Sequence, residues 1–277
     1  MRPHLLLLLS LVPLALAGRA EERLRPATPD EVALLKEALK NSAQQTDHWA
    51  YTETRAMKLR KGGKAAKETI VRFDPSKPYA EQFTPLKVEG REPSKKDLKE
   101  YREKGEKRGE ALARAAERRE DSPPPADAAA PAKPKKGGKE VRADLENPLV
   151  AGEEGDRLVL EIPMVSTTKD IPADKFEVRV VLNRSTRHVE RASLRIRDAF
   201  RVKGIAKVKG GEGTVEFTLV DPAHGPVLTS ATGKFGGSLM LLPVNPSFSY
   251  QRTEVKRVKP YDERFQVEVG ALETLDF

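Results

Sequence analysis

Phe176-Glu177-Val178-Arg179-Val180-Val181-Leu182-Asn183, then Arg184-Ser185-Thr186, then Val189 through Phe200, is the stretch whose reading decides the fold. Phe176, Val178, Val180 and Leu182 fall on one parity, and Glu177, Arg179 and Val181 on the other. A period of two with one apolar side is the pattern of a strand lying on a core. Asn183 to Thr186 is polar and suits a turn. In the returning segment His188, Ala192, Leu194, Ile196 and Phe200 oppose Arg191, Arg195 and Arg197. Two alternating runs about a short polar turn predict an antiparallel hairpin.

The same pattern extends in both directions. Leu158, Leu160 and Ile162 alternate before Pro163, and further strands are expected over 201–209, 214–220, 234–242 and 248–258. Gly210-Gly211-Glu212-Gly213 reads as the turn joining two of them, and Gly233, Gly236 and Gly237 as strand bends. No helical crossover separates most of these strands, so the block reads as a meander and a parallel α/β fold is disfavoured. Nearer the start, Trp49, Tyr51, Met57 and Leu59 share a parity that Glu53 and Arg55 interrupt, which predicts a half-buried strand. Lys61-Gly62-Gly63-Lys64 suits a hairpin turn, and Thr69, Val71 and Phe73 the return. Asp74 to Pro78 is a second turn. Phe83, Leu86 and Val88 fit a third strand in which Pro85 must stand at an edge or a bulge.

Two helices are expected. Over 28–47, Thr28 or Asp30 can cap, Pro29 suits the first turn, and Val32, Leu35 and Leu39 form a stripe with Leu34 and Ala38. From about Lys95 to Arg119 a second helix carries Leu98, Tyr101, Leu112 and Ala115 on parts of one face. Its centre, Glu103 through Glu110, is charged apart from two glycines, and pairs such as Glu100–Lys104 and Glu103–Lys107 support an exposed, solvated helix. The segment 121–140, rich in Pro, Ala and Lys, is too biased to bury a core. The expected fold class is α+β: a curved antiparallel sheet or open half-barrel packed against an N-terminal helix, with an inserted charged helix and a flexible linker. The expected segments are a signal peptide over 1–17, helix and first strands over 28–90, the exposed helix over 91–120, the linker over 121–150 and the remaining strands over 151–277. A separate N-terminal hairpin module beside a C-terminal β-domain is the alternative.

Composition bounds the chemistry. The 277 residues include 50 Lys plus Arg, 42 Asp plus Glu, four His and no Cys, for a net charge of +8. Without cysteine there are no disulfides, thiolate metal sites or cysteine nucleophiles. Arg2, the run Leu5 to Leu9, and Ala15 and Ala17 have the layout of a secretory signal peptide, with cleavage after Ala17 or near Ala20. An uncleaved anchor is the alternative, although the apolar run is short for a span. Removing Arg2 lowers +8 to +7. The chain is expected to be exported, with the bacterial periplasm as the preferred compartment, to have no transmembrane segment once mature, and not to bind nucleic acid. Glu89 to Asp121 holds 11 basic and 10 acidic residues, far too balanced for a nucleic-acid arm. Residues 175–260 hold 16 basic and 7 acidic, a surplus of nine.

The sequence contains no phosphate-binding loop, zinc-protease motif, nucleophile elbow or dinucleotide fingerprint. No catalytic residue, metal ligand or cofactor is assigned, and the chain is read as not an enzyme; hydrolysis would require a carboxylate converging on His188 or His224. Two candidate surfaces remain. Trp49, Tyr51, Met57, Phe73, Phe83, Phe176, Val178, Val180, Leu194 and Ile196 are candidates to line an apolar cavity, or else to fill a core. Arg179, Arg191, Arg195 and Arg197 are candidates for a positive stripe on the opposite side, suited to phospholipid or another envelope polyanion.

Export, a helix ending before Trp49 and a succession of antiparallel strands resemble the lipoprotein-carrier (LolA/LolB-like) fold. The segment Phe83-Thr84-Pro85-Leu86-Lys87-Val88-Glu89-Gly90-Arg91-Glu92-Pro93, with Asp97-Leu98-Lys99-Glu100-Tyr101-Arg102, also resembles stretches of uncharacterised exported proteins of Gram-negative bacteria, as a strand ending in a Val-x-Gly turn before an exposed helix. The likeness covers about 28–90 and 155–260. It implies an open half-barrel, covered by helices, around a cavity for acyl chains. The charged helix and the linker depart from that pattern, and the missing lipidation cysteine argues against a membrane-anchored acceptor. The expected function is therefore non-catalytic binding of a lipid, an acyl chain, a lipoprotein or another hydrophobic envelope ligand. The alternative is an envelope assembly protein recruiting a protein partner through the charged helix.

Overall fold

The computed structural model describes residues 24–42, 48–58, 67–120, 141–167, 171–202, 206–239 and 242–264. The signal peptide, the Lys61–Lys64 turn, the end of the first helix and the segment 121–140 lie outside the described residues. In chain order the elements are β1 (Arg25–Pro26), α1 (Pro29–Ser42), β2 (Trp49–Lys58), β3 (Lys67–Phe73), β4 (Phe83–Lys87), α2 (Lys95–Glu120), β5 (Val141–Ala143), β6 (Leu149–Glu154), β7 (Arg157–Ile162), β8 (Met164–Ser166), β9 (Phe176–Asn183), β10 (His188–Ile196), β11 (Phe200–Val202), β12 (Ala206–Thr218), β13 (Val227–Leu239), β14 (Leu242–Val244) and β15 (Ser247–Arg257).

Thirteen of these strands form one open antiparallel sheet in the order β1-β6-β7-β9-β10-β12-β13-β15-β2-β3-β4, with β11 beside β12 and β14 beside β13. The early and late strand blocks are joined where β15 pairs with β2. The α+β expectation of a large antiparallel sheet with an N-terminal helix and a second, inserted helix therefore holds. Pro85 stands in the edge strand β4, opposite Val71 where the register shifts, which is where a residue without an N–H is tolerated. Glu89 and Gly90 have φ of 50° and 80°, and Val88 and Arg91 exchange backbone hydrogen bonds of 2.9 and 3.1 Å, so the Val-x-Gly segment closes a tight turn.

Both helices start with reciprocal caps. Thr28 Oγ1 accepts from the Glu31 amide at 3.3 Å, and Glu31 accepts from the Thr28 amide at 2.9 Å. Ser94 and Asp97 repeat the arrangement, and Arg91 closes on the Asp97 carboxylate at 2.7 Å. The fully buried Leu35 and Ala38 of α1 sit on Val150, Leu158, Leu160, Ile162, Val180, Leu182 and Val189, forming one core. A second core gathers Trp49, Tyr51, Phe73 and Val227, with Phe83 and Val255 against it.

Three expectations are corrected. Gly210 to Gly213 is not a turn but lies inside β12, paired with β13. Glycine is used there because Phe235 lies across Gly211, and at Gly233 because Phe248 does; a Cβ at either glycine would collide with the ring. The stretch 141–150 is not linker: it carries β5 and the start of β6, which pairs with both β1 and β7. Leu149-Val150-Ala151 is too short a run, ahead of Gly152, to show an alternation. Finally, α2 is docked rather than solvated all round. Gly105 and Gly109 are buried against Tyr79, where a Cβ would overlap the Tyr79 carbonyl or ring. Pairs on its surface include Lys96–Glu100, Lys99–Glu103 and Glu110–Arg114, while Lys104 turns inward to lie 4.3 Å over the Phe83 ring.

Candidate functional site

Strand register puts all ten apolar candidates on a single face of the sheet. One cross-sheet row runs Ile162, Val178, Leu194, Gly213, Gly233, Phe248, Met57, Lys67. The next runs Leu160, Val180, Ala192, Val215, Ala231, Tyr250, Arg55, Thr69. Phe176, Ile196, Gly211 and Phe235 form a third. A bulge after Val189 shifts the parity of β10, so that Val189 and Ala192 face the same way.

The helices divide this face. Val178 and Val180 lie beneath α1 in the first core, and Trp49, Tyr51, Phe73 and Phe83 belong to the second core, which α2 flanks. Phe176, Leu194, Ile196 and Met57 lie between, on a strip that Val215, Phe235, Phe248 and Tyr250 complete. Phe176 packs edge-on to Phe200 at 5.5 Å. Met57 is 64% exposed and Phe248 37%, high values for large apolar side chains on the inner face of a sheet. At the α2 end of the strip is an open hollow of about 650 Å³, lined by Arg55, Ala56, Met57, Lys67, Thr69, Glu89, Phe248, Ser249 and Tyr250. Of the ten candidates, only Met57 lines it.

The four arginine candidates lie on the other face, and each meets glutamate. Arg195 bonds Glu177 at 2.5 Å, Arg197 bonds Glu161 at 2.5 Å, Arg179 approaches Glu177 at 3.0 Å and Arg191 pairs with Glu216 at 3.2 Å. Burial by itself raises the Glu177 carboxyl, but the Arg195 hydrogen bond and the charges of Arg179, Arg195 and Arg197 together hold it below the usual carboxylate range. The stripe exists as a row of residues, with its charge largely matched.

The apolar face carries the cations that sequence reasoning missed. Arg252 stacks 3.9 Å from the Tyr51 ring centre and 5.3 Å from that of Tyr250, and its Nε is buried without a hydrogen-bond partner. Arg55 donates to the Tyr101 hydroxyl at 3.1 Å and stands 3.7 Å from Glu53. Arg108 donates to the buried Gln82 at 2.8 Å. Loss of solvent around Lys104, and then the neighbouring charge of Arg55, lower the Lys104 amine from its ordinary value. Burial likewise raises the Tyr250 phenol. Tyr101, Lys104, Gly105, Arg108 and Gly109 recur at helical spacing, the one signal that this side of α2 faces the protein.

The residues considered for hydrolysis are engaged elsewhere. His188 is buried with Nδ1 3.4 Å from the Thr186 carbonyl, Glu190 is held by Arg157 at 2.7 Å and Asn183 at 2.9 Å, and Asp198 pairs with Lys175 at 3.1 Å. His224 lies 3.6 Å from Asp221, edge-on to Trp49. Among the described residues no group of three or more His, Asp or Glu is placed to hold a metal ion. No helix among them is long and apolar enough to cross a membrane.

Such a molecule is an open antiparallel sheet with two helices on one face and a partly exposed apolar strip between them. No protein-family model matches the chain, and no curated protein does. A solved LolA superfamily protein from Nitrosomonas europaea is similar at 10% identity and a TM-score of 0.30, over 85% of this chain and 96% of that one. The likeness is remote.

Proposed function

We propose that this protein is a non-catalytic binding protein of the bacterial periplasm that takes a lipid, an acyl chain or another hydrophobic envelope ligand on the strip between α1 and α2. The observation that carries the reading is the exposure of Met57 and Phe248 in line with Leu194, on the sheet face that elsewhere forms the two cores. Apolar surface of this kind, flanked by helices, suits a ligand better than water. Each methylene removed from water contributes about 0.8 kcal/mol, so a dozen supply roughly 10 kcal/mol before the cost of association. The glycines of β12 and β13 leave Phe235 and Phe248 as the tallest groups on the strip. The apolar run near the N-terminus supports export.

The test is native mass spectrometry of protein purified without detergent, with displacement of a fluorescent fatty-acyl probe as a second readout. Co-purifying acyl ligands, and probe binding that Leu194→Arg abolishes without unfolding the chain, are expected. Absence of both ligand and probe binding rejects the reading.

A further inference from the structure

The charge on the apolar face specifies the ligand further. Around the aromatic series Tyr51, Phe73 and Phe83, with ring centres 5.2 and 4.9 Å apart, stand Arg55, Lys104, Arg108 and Arg252. Glu53 stands among them, 3.7 Å from Arg55 and directly opposite Arg252 in the strand register, and its charge reaches Lys104. Neither Lys104 nor Arg252 forms a salt bridge among the described residues. The opposite face behaves differently, since its four candidate arginines are each closed on glutamate. Cations gathered partly out of water around one shared carboxylate are unfavourable, and aromatic faces offset only part of that cost. Tyr250 connects this cluster to the hollow, since it lines the hollow, sits beside Arg252 and is directly opposite Arg55.

Resting on the reading given above, we infer that the α2 end of the strip recognises an anionic amphiphile, a lipid monomer whose phosphate or carboxylate is met by Arg55, Lys104 and Arg252 while its chain lies along Met57, Phe248 and Leu194. The arginines supply planar donor pairs suited to such a head group, and Lys104 a point charge. Lys67 at the rim is already paired with Glu89 at 3.2 Å and adds no net charge. A zwitterionic head group would bring a second cation against this cluster, so discrimination against it is built in.

The test uses the full chain and calorimetric titration with two lysophospholipids of one chain length, lysophosphatidylglycerol and lysophosphatidylcholine, below their micelle concentrations, with palmitate and inorganic phosphate as further arms. The anionic lysolipid is expected to bind about tenfold tighter than the zwitterionic one, and the ratio to shrink to about threefold or less in Arg55→Gln/Arg252→Gln. Lys104→Gln, a single change on α2, is expected to reduce the ratio in the same direction and serves if the double variant does not fold. Palmitate binding that also weakens in the variants extends the inference to carboxylates. Equal affinity for the two lysolipids, or a preference that survives the substitutions, overturns the head-group inference and leaves apolar binding standing. Inorganic phosphate binding as tightly as the lysolipid overturns the amphiphile. Failure of every lipid to bind overturns both inferences.

Discussion

Replacing Gly105 by Ala separates a docked α2 from a solvated one by the sign of a single stability change. In an exposed helix, glycine to alanine stabilises by about 1 kcal/mol, because alanine loses less backbone freedom on folding. At Gly105 the added methyl falls on the carbonyl of Tyr79, a backbone atom that cannot rotate away. Tyr79 itself is fixed by its hydroxyl on Asp262 and by the ring of Tyr261 at 5.9 Å. Overpacking costs about 1–3 kcal/mol, so after the gain of about 1 kcal/mol in helix propensity the net loss is expected to be roughly 0–2 kcal/mol. The adjacent Gly109 gives a graded control, since its methyl would meet the Tyr79 ring rather than backbone. Urea unfolding followed by the fluorescence of the single tryptophan, Trp49, together with the rate of proteolysis within α2, reads both the global and the local effect. A Gly105→Ala protein that is more stable than the parent by about 1 kcal/mol, with α2 no more easily cleaved, would refute the docking argument and restore the solvated helix.

Other consequences follow from the two cores and the charged face. Glu177→Gln leaves Arg179, Arg195 and Arg197 around a neutral group and should cost about 1–2 kcal/mol in urea unfolding, more than Glu216→Gln at the half-exposed Arg191 pair. Leu160→Ala, beneath α1 in a fully buried position, should cost about 2–5 kcal/mol and lower the midpoint without changing the urea slope. Glu31, held down to about 2 chiefly by its hydrogen bond from Arg25, has a folded value below its ordinary 4.5. Its contribution is therefore present above about pH 4.5 and lost as pH falls toward about 2, and Glu31→Gln should flatten the stability profile over that acid window while leaving the shape above it unchanged.

The strands were legible because alternation survives in them. Phe176 to Leu182 and Leu158 to Ile162 show which parity meets the core, and the register confirms that the ten apolar candidates share a face. Legibility failed where alternation was absent or masked. In β12, Gly210-Gly211-Glu212-Gly213 has no apolar side chain to mark a face, because the covering ring is supplied by Phe235 from the neighbouring strand β13. The exposed state of Met57 was equally hidden: its parity is that of the buried Trp49 and Tyr51, and only the positions of the helices over the sheet separate them. Arg252 gave no local signal, since its stacking partner Tyr51 lies about 200 residues away along the chain.

Charge is the clearest case of linear order misrepresenting space. The surplus of nine over 175–260 counts Arg184 and Arg197 but not their partners Glu153 and Glu161, which arrive from β6 and β7 outside that window. Once folded, those two arginines are paired, so the window count overstates the positive charge at this face. The near balance of α2 misleads in the opposite sense. Its acids at Glu100, Glu103 and Glu110 pair outward within the helix, while Lys104 and Arg108 turn to the aromatic side of the sheet. A helix with almost no net charge thereby delivers two cations to one face, where Arg55 and Arg252 already stand. Salt should accordingly weaken an anionic ligand held at the α2 end of the strip more than an uncharged ligand of the same chain, whose apolar contacts salt does not screen. A binding constant for both ligands that is equally insensitive to salt would place the cations out of reach of the head group and return the strip to purely apolar recognition.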